Sequence, residues 1–307
     1  DERLGATATF AGEIILWDVN KGVELRRLVG HTEMLYAGIR FLPGNRQLLS
    51  ASGDIFAPVA DFSVRLWDVE TGAELRRFLG HTDKIWDMAV SSSGGFAVTA
   101  SHDGTLPRWD LESGEAYLLA DVKPQAPICC AISPDTQRVL IGMGKGTDST
   151  PDYSLRLLDS RTGQELHRLS GHTEAVQDVV FSHDGSLALS SGQDRRLLLW
   201  DVARGELVGS LLGALEVGIR LALSPDGTLA AQGTLLGDIL VWDIQQQALI
   251  RRLVGHRGPV TQVIFSRDGR RLYSASDDGV VCEWRIDRDL PALLTWVQRS
   301  RLAGKGA

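Results

Sequence analysis

Residues 171–201 read GHTEAVQDVVFSHDGSLALSSGQDRRLLLWD, and this stretch decides the fold. Val176–Phe181 is a short apolar run, and His183-Asp184-Gly185 after it is a tight-turn signal. Residues 187–191 read as a second strand, Gly192 to Arg195 as a turn, and residues 197–200 as a third strand running into Trp200-Asp201. Residues 206–212 then make a fourth, outer strand. Four short strands with turns between them form one small antiparallel sheet. Such a sheet cannot bury both faces alone, so neighbours must stack on it.

The chain supplies those neighbours. Trp-Asp pairs stand at Trp17-Asp18, Trp67-Asp68, Trp109-Asp110, Trp200-Asp201 and Trp242-Asp243, with degenerate versions at Leu158-Asp159 and Trp284-Arg285. Successive spacings are 50, 42, 49, 42, 42 and 42 residues. The base period falls within the roughly 40–45 residues of a four-stranded propeller blade. A second marker runs in phase: Gly30-His31, Gly80-His81, Gly171-His172 and Gly255-His256 each follow the tryptophan position by 13 residues. The same offset lands on Val122-Lys123 and Gly213-Ala214 in the two repeats that lack the motif.

These two motifs resemble those of the WD-repeat family, from about residue 4 to residue 286. The resemblance implies an all-β chain: a seven-bladed β-propeller of four-stranded antiparallel blades, with a ring closing the stack so that only short edges remain exposed. It also implies a buried hydrogen-bond chain in each intact blade. The sets are His31, Ser50, Asp61 and Trp67; His81, Thr99, Asp103 and Trp109; His172, Ser190, Asp194 and Trp200; and His256, Ser274, Asp278 and Trp284. A buried indole and imidazole each need a partner, which such a chain provides. Departures from the pattern are expected to lower stability. They are Leu158 and the missing histidine in the fourth blade, Ala214 and Gln232 in the sixth, and Ala11 at the aspartate position of the first.

Each set holds the ingredients of a hydrolytic triad, but four near-copies are a device of the fold; a nucleophile needs one exposed site with an oxyanion hole. No catalytic residue is therefore expected, and the chain is read as a non-enzyme. Gly142 to Thr147 fails the phosphate-loop pattern because Gly146 follows Lys145 and no helix signal comes after. His102, His167 and His183 are dispersed, so no metal or cofactor is expected. Cys129, Cys130 and Cys282 are an odd count without framework spacing and read as reduced thiols of a cytoplasmic protein. With 32 Lys and Arg against 39 Asp and Glu, a net charge of −7 and no basic block, nucleic acid is not an expected partner. No apolar run nears the roughly 18 residues that cross a bilayer, so no membrane is expected either.

Function must then be read from loops. Two repeats exceed the base period, by 8 and 7 residues, and both extras fall in the loop between second and third strands, at about 53–60 and 142–152. By resemblance this loop shares a face, the top, with the loop after the outer strand. The residue five beyond each Gly-His histidine is exposed there: Tyr36 and Trp86, against the less aromatic Ile128, Gln177, Ile219 and Thr261. Met34, Phe56, Phe62, Lys84 and His102 map nearby. Large aromatics, methionine and cations suit an interface core. The expected function is a protein-interaction or sensor module whose top face binds a protein, a peptide or a neighbouring domain. A standalone scaffold for several proteins is the alternative, and an enzyme centred on the channel a distant third.

The ends carry two further expectations. The first blade begins at its second strand (4–10, then 14–17 and 24–28) and the last ends after its third (280–286), so one inner and one outer strand are expected from residues upstream of Asp1. Leu290, Leu293, Leu294 and Val297 have helical spacing, with Asp289 and Pro291 suited to a helix start, so 290–302 is expected to be a short terminal helix. The chain is thus divided into a propeller over 1–289 and a helical tail over 290–307. The tail after Trp-Arg-Ile resembles those of large bacterial WD-repeat signalling proteins. That resemblance implies a C-terminal module beside a STAND-type nucleotide switch, a protease-like domain or a kinase.

Overall fold

The computed structural model describes residues 3–9, 11–35, 37–53, 61–144, 151–213 and 216–286, and the backbone of 297–300. The chain divides into two compact units, Asp1–Arg168 and Leu169–Ala307. Its strands form seven antiparallel sheets, the blades of a seven-bladed β-propeller.

The first unit begins with a sheet of β1 (Leu4–Ala8), β2 (Ile14–Asp18) and β3 (Val23–Leu28), three-stranded among the described residues. Blade two is β4 (Gly38–Phe41), β5 (Gln47–Ala51), β6 (Val64–Asp68) and β7 (Glu74–Phe78). Blade three is β8 (Ile85–Val90), β9 (Phe96–Ser101), β10 (Thr105–Asp110) and β11 (Ala116–Asp121). Blade four is β12 (Ala126–Ile132), β13 (Arg138–Gly144), β14 (Leu155–Asp159) and β15 (Glu165–Leu169). In the second unit, blade five is β16 (Val176–Phe181), β17 (Leu187–Gly192), β18 (Leu197–Asp201) and β19 (Glu206–Leu211). Blade six is β20 (Gly218–Leu223), β21 (Leu229–Thr234), β22 (Asp238–Asp243) and β23 (Ala248–Val254). Blade seven is β24 (Val260–Phe265), β25 (Arg271–Ser276), β26 (Val281–Arg285) and β27 (Val297–Ser300).

Four of the third strands are buried on both faces: every residue of β2 is buried, and β6, β18 and β22 are buried except at their closing aspartates. Outer strands turn most of their residues to solvent, as β3 does with five exposed residues before buried Leu28. The tryptophans lie where blades stack; Trp109 of blade three packs with Leu66, Phe78 and Met88 in a core shared with blade two. In blades one to six the aspartate that closes the third strand shapes the turn to the outer strand. Asp68 Oδ1 accepts from the Thr71 N–H at 2.6 Å, and Asp110 and Asp159 do the same for Ser113 and Thr162.

The terminal helix is corrected where the tail is described. Val297–Ser300 is strand β27, paired antiparallel with β26 from Trp284↔Val297 to Val281↔Ser300, and it is the outer strand of blade seven. That strand therefore comes from the tail and not from residues upstream of Asp1. Arg285 stands where the other blades have the turn-capping aspartate, and a cation cannot accept the turn N–H groups. The open edge of β26 pairs instead with a later segment, which satisfies its backbone groups. Residues 290–296 and 301–302 of the expected helix lie outside the described residues.

Candidate functional site

The four His-containing sets are hydrogen-bonded chains. In blade five, Trp200 Nε1–H donates to Ser190 Oγ at 2.8 Å, Ser190 Oγ meets His172 Nε2 at 2.8 Å, and His172 Nδ1 meets the Asp194 carboxylate at 3.0 Å. The same order runs through Trp67, Ser50, His31 and Asp61, with all three distances 2.8 Å. It recurs through Trp109, Thr99, His81 and Asp103, and through Trp284, Ser274, His256 and Asp278. An acceptor-only carboxylate puts the proton on Nδ1, leaving Nε2 to accept from the hydroxyl and the hydroxyl to accept from the indole. Every group is satisfied with the imidazole neutral. Burial favours that state, holding His31 and His172 below the usual histidine range despite their aspartates. Burial alone would raise Asp61 and Asp103, but hydrogen bonds from His31 and Ser63, and from His81 and Thr105, hold both far below the carboxylate range.

The Gly-His glycine has a steric cause. A Cβ on Gly30, Gly171 or Gly255 would stand 2.8 or 2.9 Å from the Cη2 of Trp67, Trp200 or Trp284. Only hydrogen leaves room for the indole of the following blade. Blade four changes all the partners together. Leu158 replaces the indole, Val122 occupies the glycine position, Ile141 faces them where a hydroxyl would stand, and the three share one apolar cluster. Asp152, with no histidine to hold, pairs with Arg156 at 2.6 Å. Removing both partners of a buried hydrogen bond costs far less than removing one, so this blade is repacked and not half-broken. In blade six, Trp242 Nε1–H turns to the Leu212 carbonyl at 2.8 Å; in blade one, Trp17 donates to Thr7 at 2.8 Å.

The proposed docking residues lie in unit one. In a four-stranded antiparallel blade, the loop entering the first strand and the loop joining the second to the third emerge at one end. In blade three these are residues 79–84 and 102–104. Register shifts between Ile85 and Asp87, so Trp86 is the surplus residue of a β-bulge and has no partner in the ladder register. Trp86 is half-buried. Lys84 Nζ lies 3.7 Å from the centroid of its ring, and His102 meets the same indole edge-on at 6.1 Å. Asp83 fixes this group: its Oδ2 is 2.8 Å from His102 Nδ1 and its Oδ1 accepts the Lys84 N–H at 2.7 Å. Behind the bulge, Asp87 accepts the Cys130 N–H of β12 at 3.0 Å and faces Arg40 of β4 at 3.4 Å, linking the inner strands of blades two, three and four.

Lys84, Trp86 and His102 are thus brought into contact. Met34 joins them through backbone: its carbonyl faces the Gly53 N–H at 3.5 Å, and a Cβ on Gly53 would stand 2.8 Å from Lys84 Cα. Phe62 is half-buried beside Asp61, and among the described residues no ring contact joins it to Trp86. Tyr36 and Phe56 lie outside the described residues, as does most of each insertion. Sequence reasoning missed Asp83, the Asp87 bridge and Arg65, which is buried in β6 between Asp61 and Glu74 at 2.8 Å from each.

Among the described residues no helix is long and apolar enough to cross a membrane, and no group of three or more His, Cys, Asp or Glu could hold a metal ion.

The model of the WD domain, G-beta repeat, matches residues 72–110, 163–201 and 247–285, each running from the turn before an outer strand to the end of the next third strand. Autophagy-related protein 16 of Arabidopsis thaliana is 29% identical over 194 residues, 63% of this chain and 27% of that protein. Nuclear distribution protein PAC1 of Arthroderma benhamiae is 29% identical over 202 residues, 60% of this chain and 43% of its own. Meiotic recombination protein rec14 of Schizosaccharomyces pombe is 29% identical over 112 residues, 36% of this chain and 35% of its own. The chain therefore matches less than half the length of each of these relatives. The repeat matches fall on the strand scheme that the four-stranded sheets share, and the chain is a seven-bladed β-propeller similar to the WD repeat over those residues.

Proposed function

We propose that this chain is a non-catalytic protein-interaction module, binding a protein, a peptide or another domain of its parent protein through the top loops of blades two to four. The observation that carries the reading is Trp86. It sits at a β-bulge, Lys84 and His102 pack on its ring, and Asp87 anchors the strand beneath it. A fixed aromatic loses little freedom when a partner covers it. The Ser-His-Asp sets do not compete as active sites. Ser50, Ser190 and Thr99 are fully buried, each with its hydroxyl engaged by both an indole and an imidazole. The relatives named above share the repeat, which supports a binding role.

A scaffold with more than one docking surface is favoured by blade six. Its loop between second and third strands carries Leu235 and Leu236, 49% and 70% exposed, where blades three, five and seven have His102-Asp103, Gln193-Asp194 and Asp277-Asp278. Exposed leucines at a tight turn add nothing to the core of this unit and suit a partner's apolar surface.

The test is affinity capture from a lysate of the source cells with the wild-type chain and Trp86→Ala. The reading expects a partner retained by the first and weakened roughly 30-fold or more in the second, at an unchanged melting temperature. Equal retention by both would refute it.

A further inference from the structure

Resting on the reading of the blade-six leucines as a docking surface, we infer that the segment docking there is basic and apolar: an extended stretch that lays an aliphatic or aromatic side chain on Leu235 and Leu236 and sets a lysine or arginine against Asp277. The two leucines are the central residues of a tight turn, closed by the Gly237 N–H donating to the Thr234 carbonyl at 3.3 Å. Polar residues favour such positions, because their side chains bond the turn backbone and meet water. Leu235 and Leu236 are instead 49% and 70% exposed, and Val254 of β23, which pairs with Asp238 just beyond the turn, is 66% exposed.

The leucines and Asp277 belong to one run of packed loops in the second unit. Blade seven has the same turn, closed by the Gly279 N–H donating to the Ser276 carbonyl at 3.0 Å. Leu235 and Asp277 hold the same place in it. Each donates its N–H to the loop entering its own blade, Leu235 to the Val217 carbonyl at 3.4 Å and Asp277 to the Pro259 carbonyl at 3.1 Å. Residues 256–258 lie between the two turns. A Cβ on Gly237 would stand 2.9 Å from the His256 carbonyl oxygen and 3.0 Å from that of Gly258, and a Cβ on Gly258 would stand 3.2 Å from the Asp278 nitrogen.

Charge on these loops sets the sign of the partner. Asp278 is committed inward: its carboxylate meets His256 Nδ1 at 3.1 Å and accepts the N–H groups of Arg257 at 2.8 Å and Val280 at 2.9 Å. Asp277 is exposed, and among the described residues no hydrogen bond or ion pair engages its carboxylate. Partial desolvation and the adjacent Asp278 charge push it above the usual carboxylate range, so a cation brought to it relieves a standing repulsion. Arg252 is already held by Asp238 and lies 3.7 Å from Glu216. Arg257 is exposed, and its charge does not act on Asp277. Four carboxylates, of Glu216, Asp238, Asp277 and Asp278, against the guanidiniums of Arg252 and Arg257 leave these loops with a net charge of −2. The whole chain, at −7, has the same sign, so its field draws a basic segment in and turns an acidic one away.

Fluorescence anisotropy on the full chain tests this with three labelled peptides of one apolar core: Arg-Lys-Leu-Phe-Lys-Arg, Glu-Asp-Leu-Phe-Asp-Glu and Gln-Asn-Leu-Phe-Asn-Gln. The basic peptide is expected to bind tightest, and to weaken as salt rises from about 0.05 to 0.2 M. Leu235→Gln with Leu236→Asn gives blade six a turn close to the Gln193-Asp194 of blade five, and should weaken that binding at least about tenfold at the wild-type melting temperature. Asp277→Asn should weaken it at least about threefold and Asp277→Glu less than about twofold, again with melting unchanged. A basic peptide bound no tighter than the acidic or the neutral one, or binding untouched by Asp277→Asn, overturns the inference. If the neutral peptide binds as well as the basic one and both are lost in the leucine variant, the docking surface stands and its basic chemistry falls. If no peptide binds, or the leucine variant binds them as the wild type does, the blade-six docking surface itself falls.

Discussion

Replacing Gly171 by valine, Trp200 by leucine, and then both in one chain asks whether the glycine of the repeat exists to seat the indole. A Cβ on Gly171 would stand 2.9 Å from Trp200 Cη2 and 3.1 Å from Leu198 Cδ1. Gly171 is not among the residues with positive φ, so the cost is crowding and not backbone strain. Overpacking of this kind costs about 1–3 kcal/mol. Trp200→Leu opens a cavity at a position 1% exposed and takes the indole donor from Ser190. That should cost about 2–4 kcal/mol, short of the roughly 3–5 of a full Trp→Ala truncation. In the double variant the valine methyls enter the space the indole leaves, as Val122 does beside Leu158 in blade four. The two losses should therefore fall short of their sum by about 1 kcal/mol or more. Urea unfolding of the four proteins measures this directly. Additivity within about 0.5 kcal/mol would mean the glycine and the tryptophan are independent, and the steric account would be refuted.

Acid should destabilise the fold in two stages. His31 and His172 titrate lower in the fold than in the unfolded chain, so below about pH 6.5 the unfolded state takes up protons the native state does not, and the melting temperature should fall. Asp61 and Asp103 are depressed in the fold; their contribution is full above about pH 3.9 and lost as pH falls below it, which should steepen the decline. A melting temperature that rises between pH 7 and 5 would contradict the neutral-imidazole chain. Trp242→Phe should cost about 1–3 kcal/mol by chemical denaturation, since it leaves the Leu212 carbonyl without its indole donor. No measurable loss would show that this bond does not matter.

What the sequence made legible were positions where one residue type is required. Trp67 and Gly30 recur in register because an indole of fixed size meets a backbone that can carry only hydrogen there. Asp68 and its equivalents recur because a turn needs an acceptor after the third strand. Replacements that arise jointly were not legible. Leu158, Val122 and Ile141 read singly as losses, and only their packing together shows an exchange of a polar chain for an apolar one. Val297–Ser300 was missed for a related reason. Helical spacing of Leu290, Leu293, Leu294 and Val297 is a local signal, whereas pairing with β26 is decided by a distant open edge that no residue of the tail records. For the candidate site, spacing from His81 pointed to Trp86, but the bulge at which it sits and the Asp83 and Asp87 contacts that hold its surroundings depend on residues from other strands and loops.

Hydrogen–deuterium exchange of the chain alone and with its captured partner tests the central functional claim most directly. The account predicts that protection on binding concentrates in residues 82–87 and 101–105, the loops that carry Lys84, Trp86 and His102, and that Trp86→Ala abolishes it. Protection confined to outer strands such as β3 and β7, with residues 82–87 exchanging as in the free chain, would contradict it.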